Sequence, residues 1–225
     1  MLKVSRSTIS KIKIPYLIFL VFWSNFFSVN SEEISIVILA GGQSRRMGSN
    51  KAMIQVDGRP LIRILSDRVR PLTGRILISA NDTETYSFLE YPVVPDQFVG
   101  FGPLAGLHAA MRFQESALYI LLACDLPNLS ISLIRKMIAL SDGFDAAIPR
   151  TRNGMAHPLC AVYRRTCLPH IEKALKKGEK KFIEIFFHTN MTVNWIGPEE
   201  GQYNESELAN INTPEDLRRL THASH

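Results

Sequence analysis

From residue 34 onward the chain alternates short apolar runs with stretches of helical periodicity. ISIVILA (34–40) is β-branched and nearly continuously apolar, the pattern of a strand buried on both faces. RPLIRILSDRVRPL (59–72) spaces its apolar residues as a helix does, with Pro60 suited to a first turn. RILISA (75–80) predicts the next strand and TETYSFLE (83–90) a short helix. Residues 91–106 open as a short strand and continue as a Gly/Pro-rich loop, from which a helix begins near Pro103. ALYILLACD (117–125) predicts a long buried strand that ends on a carboxylate. A helix over 131–140, strands over 144–149 and 157–163, helices around 166–177 and 181–187, and a strand over 191–196 follow. ELANINTPEDLRRL (207–220) reads as a strand, a turn and a helix capped by Thr213, with Pro214 at its first position.

Strands alternating with helices predict an α/β, Rossmann-like three-layer fold: a mostly parallel sheet covered on both faces. Such sheets bind ligands beyond the carboxyl ends of their strands. Three polar clusters fall at those ends: the loop after Ala40, Asn81 after the second strand, and Asp125. No internal repeat or low-complexity tract interrupts the pattern, and one domain is expected over 34–222.

The break in composition comes at about residue 33. Residues 1–33 begin with a basic MLKVSRSTISKIK, continue with the apolar IPYLIFLVFW and offer the small residues of VNS before Glu32, in the manner of a secretory signal. The apolar run is shorter than the ~20 residues of a spanning helix. Two readings stand: a signal or anchor, or a start assigned upstream of a true initiation near Val29.

Composition narrows the chemistry. With 225 residues, 46% hydrophobic and 21% charged, the chain is long and apolar enough for a sizeable core. Its net charge of +5 suits an anionic small molecule as well as a nucleic acid, but no helix-turn-helix, RNA-binding aromatic motif or zinc-finger spacing supports the latter. Cys124, Cys160 and Cys167 form neither a disulfide framework nor a C-x-x-C metal motif, and free thiols suit a reducing cytosol. Cys124 has no partner pattern of a nucleophile and reads as a small buried residue.

The loop LAGGQSRRMGSNK (39–51) carries the strongest chemistry. Gly41 and Gly42 permit positive φ and close approach to the backbone, successive N–H groups of such a turn can cradle an anion, and Arg45, Arg46 and Lys51 add charge suited to phosphate. It is neither a Walker A loop nor G-x-G-x-x-G. Alone, it is also readable as a solvated basic turn. Asp125, at a strand end, can hold a magnesium ion that keeps its other positions for water and phosphate; Asp125-Leu126-Pro127-Asn128 is equally good turn chemistry. Asn81 and Asp96 offer hydrogen bonds to a base or ribose, or cap their own loops.

These residues are joined by a wider likeness. VILAGGQSRRMGSNKAMIQVDGRPLI (37–62), then ISAN, VVPD, GPLAGL, LLACDLP, HPLCAVY and NINTPEDL in that order, resemble the nucleotidyltransferases that act on the molybdenum cofactor, over essentially 34–220. The second glycine of LAGG together with GPLAGL resembles the guanine-using, MobA-like branch. The resemblance implies a nucleotidyltransferase fold and transfer of GMP from GTP to molybdenum-molybdopterin, with release of pyrophosphate. It places GTP on Leu39, Ala40, Gly41, Gly42 and Lys51, assisted by Ser79 or Asn81 and by Asp96, and gives Asp125 both GTP and Mg²⁺. Lys51, Arg46 and Asp125 would carry catalysis. His157 would face the acceptor, or be structural. Asn210 and Asn212 would lie near the metal, or in a turn; as amides they weaken the case for a second protein-bound ion. KKGEKK (176–181) either attracts the acceptor's phosphate or is a solvated turn. Chaperones that deliver the cofactor or receive it are the transient partners such an enzyme would meet. GTP requires cytoplasmic residence, against which the N-terminal segment stands as the alternative. Cytidylyl transfer to the same cofactor, a sugar or polyol phosphate acceptor, and a non-catalytic anchored nucleotide-binding protein are the competing readings.

Overall fold

The structure, a computed structural model, describes residues 31–41, 50–211 and 215–216. The N-terminal segment 1–30, the residues Gly42, Arg45 and Arg46, and the predicted cap at Asn212, Thr213 and Pro214 lie outside the described residues. In chain order the strands are β1 (Ile34–Leu39), β2 (Gln55–Val56), β3 (Arg59–Pro60), β4 (Ile76–Ser79), β5 (Val93–Val94), β6 (Leu118–Ala123), β7 (Ala146–Pro149), β8 (Cys160–Arg164) and β9 (Val193–Ile196). The α-helices are α1 (Leu61–Val69), α2 (Pro103–Phe113), α3 (Ile131–Ala139), α4 (Leu168–Lys176), α5 (Ile185–His188) and α6 (Pro198–Gly201).

One seven-stranded sheet runs in the order β5-β4-β1-β6-β8-β7-β9. Strands β5, β4, β1 and β6 are mutually parallel. β8 runs antiparallel to both β6 and β7, and β9 rejoins the parallel direction beside β7. The chain starts at the middle of the sheet, builds outward through β4 and β5, and then crosses to the other side of β1. That reversal sets a topological switch point between β1 and β6, at the carboxyl ends of which sheets of this kind bind ligands.

The period of two along each central strand divides the core. Ile36, Ile38 and Ala40 of the β1 segment join Ile76 and Ile78, Ile120 and Leu122 on one face, together with Ile62 and Leu65 of α1 and Leu133, Ile134 and Met137 of α3. Val37 and Leu39 join Leu77, Tyr119 and Leu121 on the other, against Leu104, Leu107 and Met111 of α2, Ile171 and Leu175 of α4, and Phe186 of α5. Both faces are therefore covered, which is why the strands read as continuous apolar runs. Each such side chain, once fully buried, contributes about 1.5–3 kcal/mol.

Local structure departs from the sequence reading in four places. TETYSFLE is not a helix. Asp82 accepts the backbone N–H groups of Glu84 and Thr85 at 3.2 Å each, and only Ser87–Leu89 forms a 3₁₀ turn; a side chain that bonds its own backbone competes with helix formation. The strand expected near residue 207 is a 3₁₀ turn, Glu205–Leu208, because Asn204 and Glu207 form a reciprocal capping box. QVDGRP forms a hairpin in which Asp57 (φ 49°) and Gly58 (φ 72°) take the positive φ that a two-residue turn requires, so Pro60 closes β3 instead of opening the helix. Residues 181–187 split into a 3₁₀ turn, Phe182–Glu184, and the single turn of α5.

Candidate active site

Register brings the strand ends level. Leu39 pairs with Ser79 on one side and Ala123 on the other, and Ser79 pairs with Val94. Each chain then runs two residues further to reach Gly41, Asn81, Asp125 and Asp96. A glycine, an asparagine and two aspartates therefore leave adjacent parallel strands on one edge of the sheet.

Across this edge Lys51 Nζ donates to Asp125 Oδ2 at 3.0 Å. The side chains are 21% and 13% exposed, so the pair is largely withdrawn from water. Asp125 Oδ1 is buried and has no hydrogen-bond partner among the described residues. Leaving a buried acceptor unsatisfied costs about 1–3 kcal/mol, more for a charged group, and such an oxygen is the donor a hard cation takes. The donor set fits a magnesium ion held by one carboxylate. The resemblance gave both residues to GTP; here they are in direct contact, so an anionic ligand carrying a cation would exchange one ion pair for two. Next in sequence, the Cys124 thiol is pushed up to about 12 by burial and by the Asp125 charge, which leaves it protonated and unsuited to nucleophilic attack.

Lys51 is placed by its neighbours. It opens a 3₁₀ turn, Lys51–Met53, whose N-cap is Asn50; the Asn50 side chain accepts from Ala52 N at 3.1 Å. Asn50 Nδ2 donates to Tyr86 Oη at 2.6 Å, and Tyr86 Oη donates to Ala40 O at 2.7 Å. The Tyr86 ring is buried, and that burial raises the pKa of its hydroxyl, which the Asn50 hydrogen bond partly offsets. Neither the cap nor the tyrosine was singled out from sequence. An Asn immediately before a short apolar turn is a capping signal, whereas a lone Tyr in a polar stretch carries none.

Ser79 and Asn81 part company. Ser79 is buried, and its carbonyl accepts the N–H groups of Ala40 at 3.0 Å and Gly41 at 3.1 Å. The Gly41 amide is thus committed to the sheet edge instead of starting an anion cradle. Helix α2 lies against the Ser79 side chain: a Cβ on Gly106 would come within 2.3 Å of Ser79 Oγ and 3.0 Å of Leu39 Cδ2. The glycine of GPLAGL therefore allows α2 to approach the ends of β1 and β4. Asn81 is exposed, and forms a reciprocal pair with Asp96: Asp96 N donates to Asn81 Oδ1 at 2.8 Å, and Asn81 Nδ2 donates to Asp96 Oδ2 at 3.2 Å. Burial raises the Asp96 pKa, with the Asn81 hydrogen bond opposing it.

The C-terminal segment reaches the same edge, where Ile211 N donates to Asp125 O at 2.9 Å. Asn210, beside Ile211, is exposed. His157 lies half-buried across the sheet, where its N–H bonds Pro149 O at 2.9 Å. Its Nε2 is buried without a partner among the described residues, and burial lowers its pKa against the opposing pull of Glu205. KKGEKK is a largely exposed turn between helical segments: Lys177 N and Gly178 N close the end of α4, and the Lys180 ammonium sits over the Phe101 ring at 5.5 Å from its centre. Among the described residues, no helix is long and apolar enough to cross a membrane.

A Rossmann-like sheet with a cationic and an anionic side chain meeting at its switch point is the frame of a nucleotidyltransferase. The fold is shared with the crystal structure of 2-C-methyl-D-erythritol 4-phosphate cytidylyltransferase from Thermus thermophilus (TM-score 0.66, 17% identity, covering 85% of this chain and 98% of that one). The chain belongs to the MobA-like NTP transferase domain family, whose model matches residues 36–191. It is 33% identical over 197 residues to the molybdenum cofactor guanylyltransferase of Shewanella loihica, covering 86% of this chain and 98% of the relative. It is also 33% identical over 193 residues to that of Desulfosudis oleivorans, covering 84% and 94%. Molybdopterin-guanine dinucleotide biosynthesis protein A from Archaeoglobus fulgidus superposes with a TM-score of 0.72 at 25% identity, covering 84% of this chain and 98% of that one.

Proposed function

We propose that the protein transfers GMP from GTP to molybdenum-molybdopterin, releasing pyrophosphate and leaving the molybdopterin guanine dinucleotide cofactor. The observation that carries this reading is the contact of Lys51, which opens the turn Lys51–Met53, with Asp125 beyond the end of β6, one carboxylate oxygen of which is buried and unpartnered among the described residues. Family membership and the names of the relatives support the choice of nucleotide and acceptor.

A terminal phosphate oxygen of molybdopterin attacks the α-phosphorus of GTP. A phosphorus–oxygen bond forms as the bond to the β-phosphate breaks, and the electron pair leaves with pyrophosphate. The attacking phosphate is already ionised, so no general base is needed. The protein's task is alignment and charge compensation. Lys51 turns from Asp125 to the phosphates and offsets the charge that builds on the leaving group. Asp125 would hold Mg²⁺, which would supply Lewis-acid polarisation of the phosphate oxygens. The exposed Asn81–Asp96 pair supplies donors and an acceptor for the base or ribose. Arg46 and Gly42 enter on sequence grounds as further phosphate contacts. On the resemblance, His157 would face the acceptor and Asn210 would lie near the metal, beside Ile211, whose N–H bonds Asp125 O.

The test is pyrophosphate release by the purified protein with each of the four nucleoside triphosphates, Mg²⁺ and molybdenum-molybdopterin. GTP is expected to lead. Preference for CTP would replace this reading with the cytidylyl one, and release with none of the four would remove the enzymatic assignment to this acceptor.

A further inference from the structure

We propose that Tyr86 is a positioning residue for Lys51, acting through Asn50, an inference that rests on the phosphate-binding role proposed for Lys51. Tyr86 Oη is a two-sided hydrogen-bonding group buried under the site. It donates to Ala40 O at 2.7 Å, the first carbonyl beyond β1, and accepts from Asn50 Nδ2 at 2.6 Å. Asn50 in turn caps the turn that Lys51 opens, through Oδ1 and Ala52 N at 3.1 Å. Ala52 is fully buried, so this turn is also seated in the core. The result is a continuous chain: strand end, phenol, amide, turn, ammonium, carboxylate.

The physical reason for such a chain lies in the side chain it serves. Lysine is a flexible stem carrying a point charge, and its ammonium can reach a phosphate reproducibly only if its backbone is fixed. Ala40 and Asn50 are ten positions apart in sequence, and one hydroxyl registers one upon the other. Geometry held this way matters because a displacement of about 1 Å in a positioned group can lower turnover by about 10²-fold. Packing alone would require only the ring of Tyr86; registration requires its oxygen.

The test uses the full-length protein and two variants that remove the link from either side. Tyr86→Phe keeps the ring and deletes the oxygen. Asn50→Ser keeps a residue able to cap the Lys51 turn but is too short to reach Tyr86. Equilibrium binding of Mg-GTP and steady-state turnover are measured with each, alongside thermal melting. Both variants are expected to bind Mg-GTP about tenfold or more weakly, with the preference for GTP over CTP unchanged, since the loss falls on the phosphate side. The double variant should be no worse than the weaker single one, because both cut the same link. A Tyr86→Phe protein with Mg-GTP affinity and turnover within twofold of wild type overturns the proposal. So do losses that add in the double variant, which mark independent packing effects. If Tyr86→Phe does not fold, Asn50→Ser decides by the same affinity criterion. If the wild type binds Mg-GTP without transferring GMP, the functional reading fails while the binding comparison still decides on Tyr86; if it binds none, both fail.

Discussion

At the carboxyl ends of β7 and β9 the buried Tyr203 donates its hydroxyl to Arg150 O at 2.6 Å and lies 3.2 Å from Ile196 O. At the end of β1 the buried Tyr86 meets Ala40 O in the same way. Both halves of the sheet thus face one problem, a strand that ends inside the protein with a carbonyl to satisfy, and both use a phenol. Past the phenol the two halves diverge. Beyond Arg150 the chain folds back on itself through the Arg150–Ala156 bridge and the Thr151 N to Met155 O bond at 2.9 Å. The other half leaves Asn81 exposed, Asp96 half-buried with a raised pKa, and Asp125 with an oxygen that none of the described residues satisfies. One half is folded back on itself, with His157 Nε2 still buried and unpartnered among the described residues; the other brings Asn81, Asp96 and Asp125 together at the switch point, where a ligand can complement them. Unsatisfied polar groups at a site are the sign of a surface selected for binding at some expense of stability.

The sharpest break of this comparison is Asp125→Asn. Turnover with GTP should fall by about 10³-fold, yet the melting temperature should not drop, because the substitution removes a buried charge that is only half paired. Activity within tenfold of wild type would take Asp125 out of the chemistry. Lys51→Ala should lower turnover by about 10²-fold and, unlike Asp125→Asn, should destabilise, by about 1–2 kcal/mol after allowance for partial exposure, since it strands the carboxylate. For a domain of this size that is about 2–4 °C per kcal/mol. Combining it with Asp125→Asn should restore the melting temperature; failure to do so would mean the pair is not electrostatically coupled.

A smaller effect separates the two tyrosines. Tyr203→Phe should cost about 1 kcal/mol in stability while leaving turnover within twofold, in contrast to the loss expected at Tyr86. Equal kinetic effects at both would erase the distinction between the closed and the open half. The smallest effect concerns acid. His108 is buried with Nε2 at 3.3 Å from Glu172 Oε1, and its ring stacks edge-on to Phe98 at 5.1 Å. Burial lowers its pKa, as do the charges of Arg112 and Lys176, while Glu172 opposes them. The unfolded chain therefore binds more protons than the folded one as pH falls below the ordinary histidine value of about 6.5, and stability is lost on acidification through that point. Melting temperature measured from about pH 7 to 5.5 should fall less steeply in His108→Gln than in wild type; parallel slopes would show that His108 does not titrate with folding.

Much of this molecule was legible before folding. The central strands β1, β4 and β6 lie within one or two residues of the runs that predicted them, because a strand buried on both faces admits little but apolar residues. Asn81 and Asp125 were visible as polar residues placed where two of those runs stop. The misreadings came where a few local hydrogen bonds outweighed periodicity: Asp82 capturing its own backbone in TETYSFLE, and the Asn204–Glu207 box turning a supposed strand into a 3₁₀ turn. Tyr86 could not be found from sequence, since its hydroxyl acts on residues 36 and 46 positions away.

The sequence by itself determined the alternation of strands and helices, the three-layer class and the set of residues available for phosphate chemistry, because side-chain period and turn chemistry are local properties of the chain. Tertiary structure decided the order and direction of the strands, including the reversed β8, the burial of Ser79 beneath Gly106, and the contact of Lys51 with Asp125 across 74 positions of sequence. Such choices depend on which surfaces meet, and no local pattern records the meeting of segments that far apart.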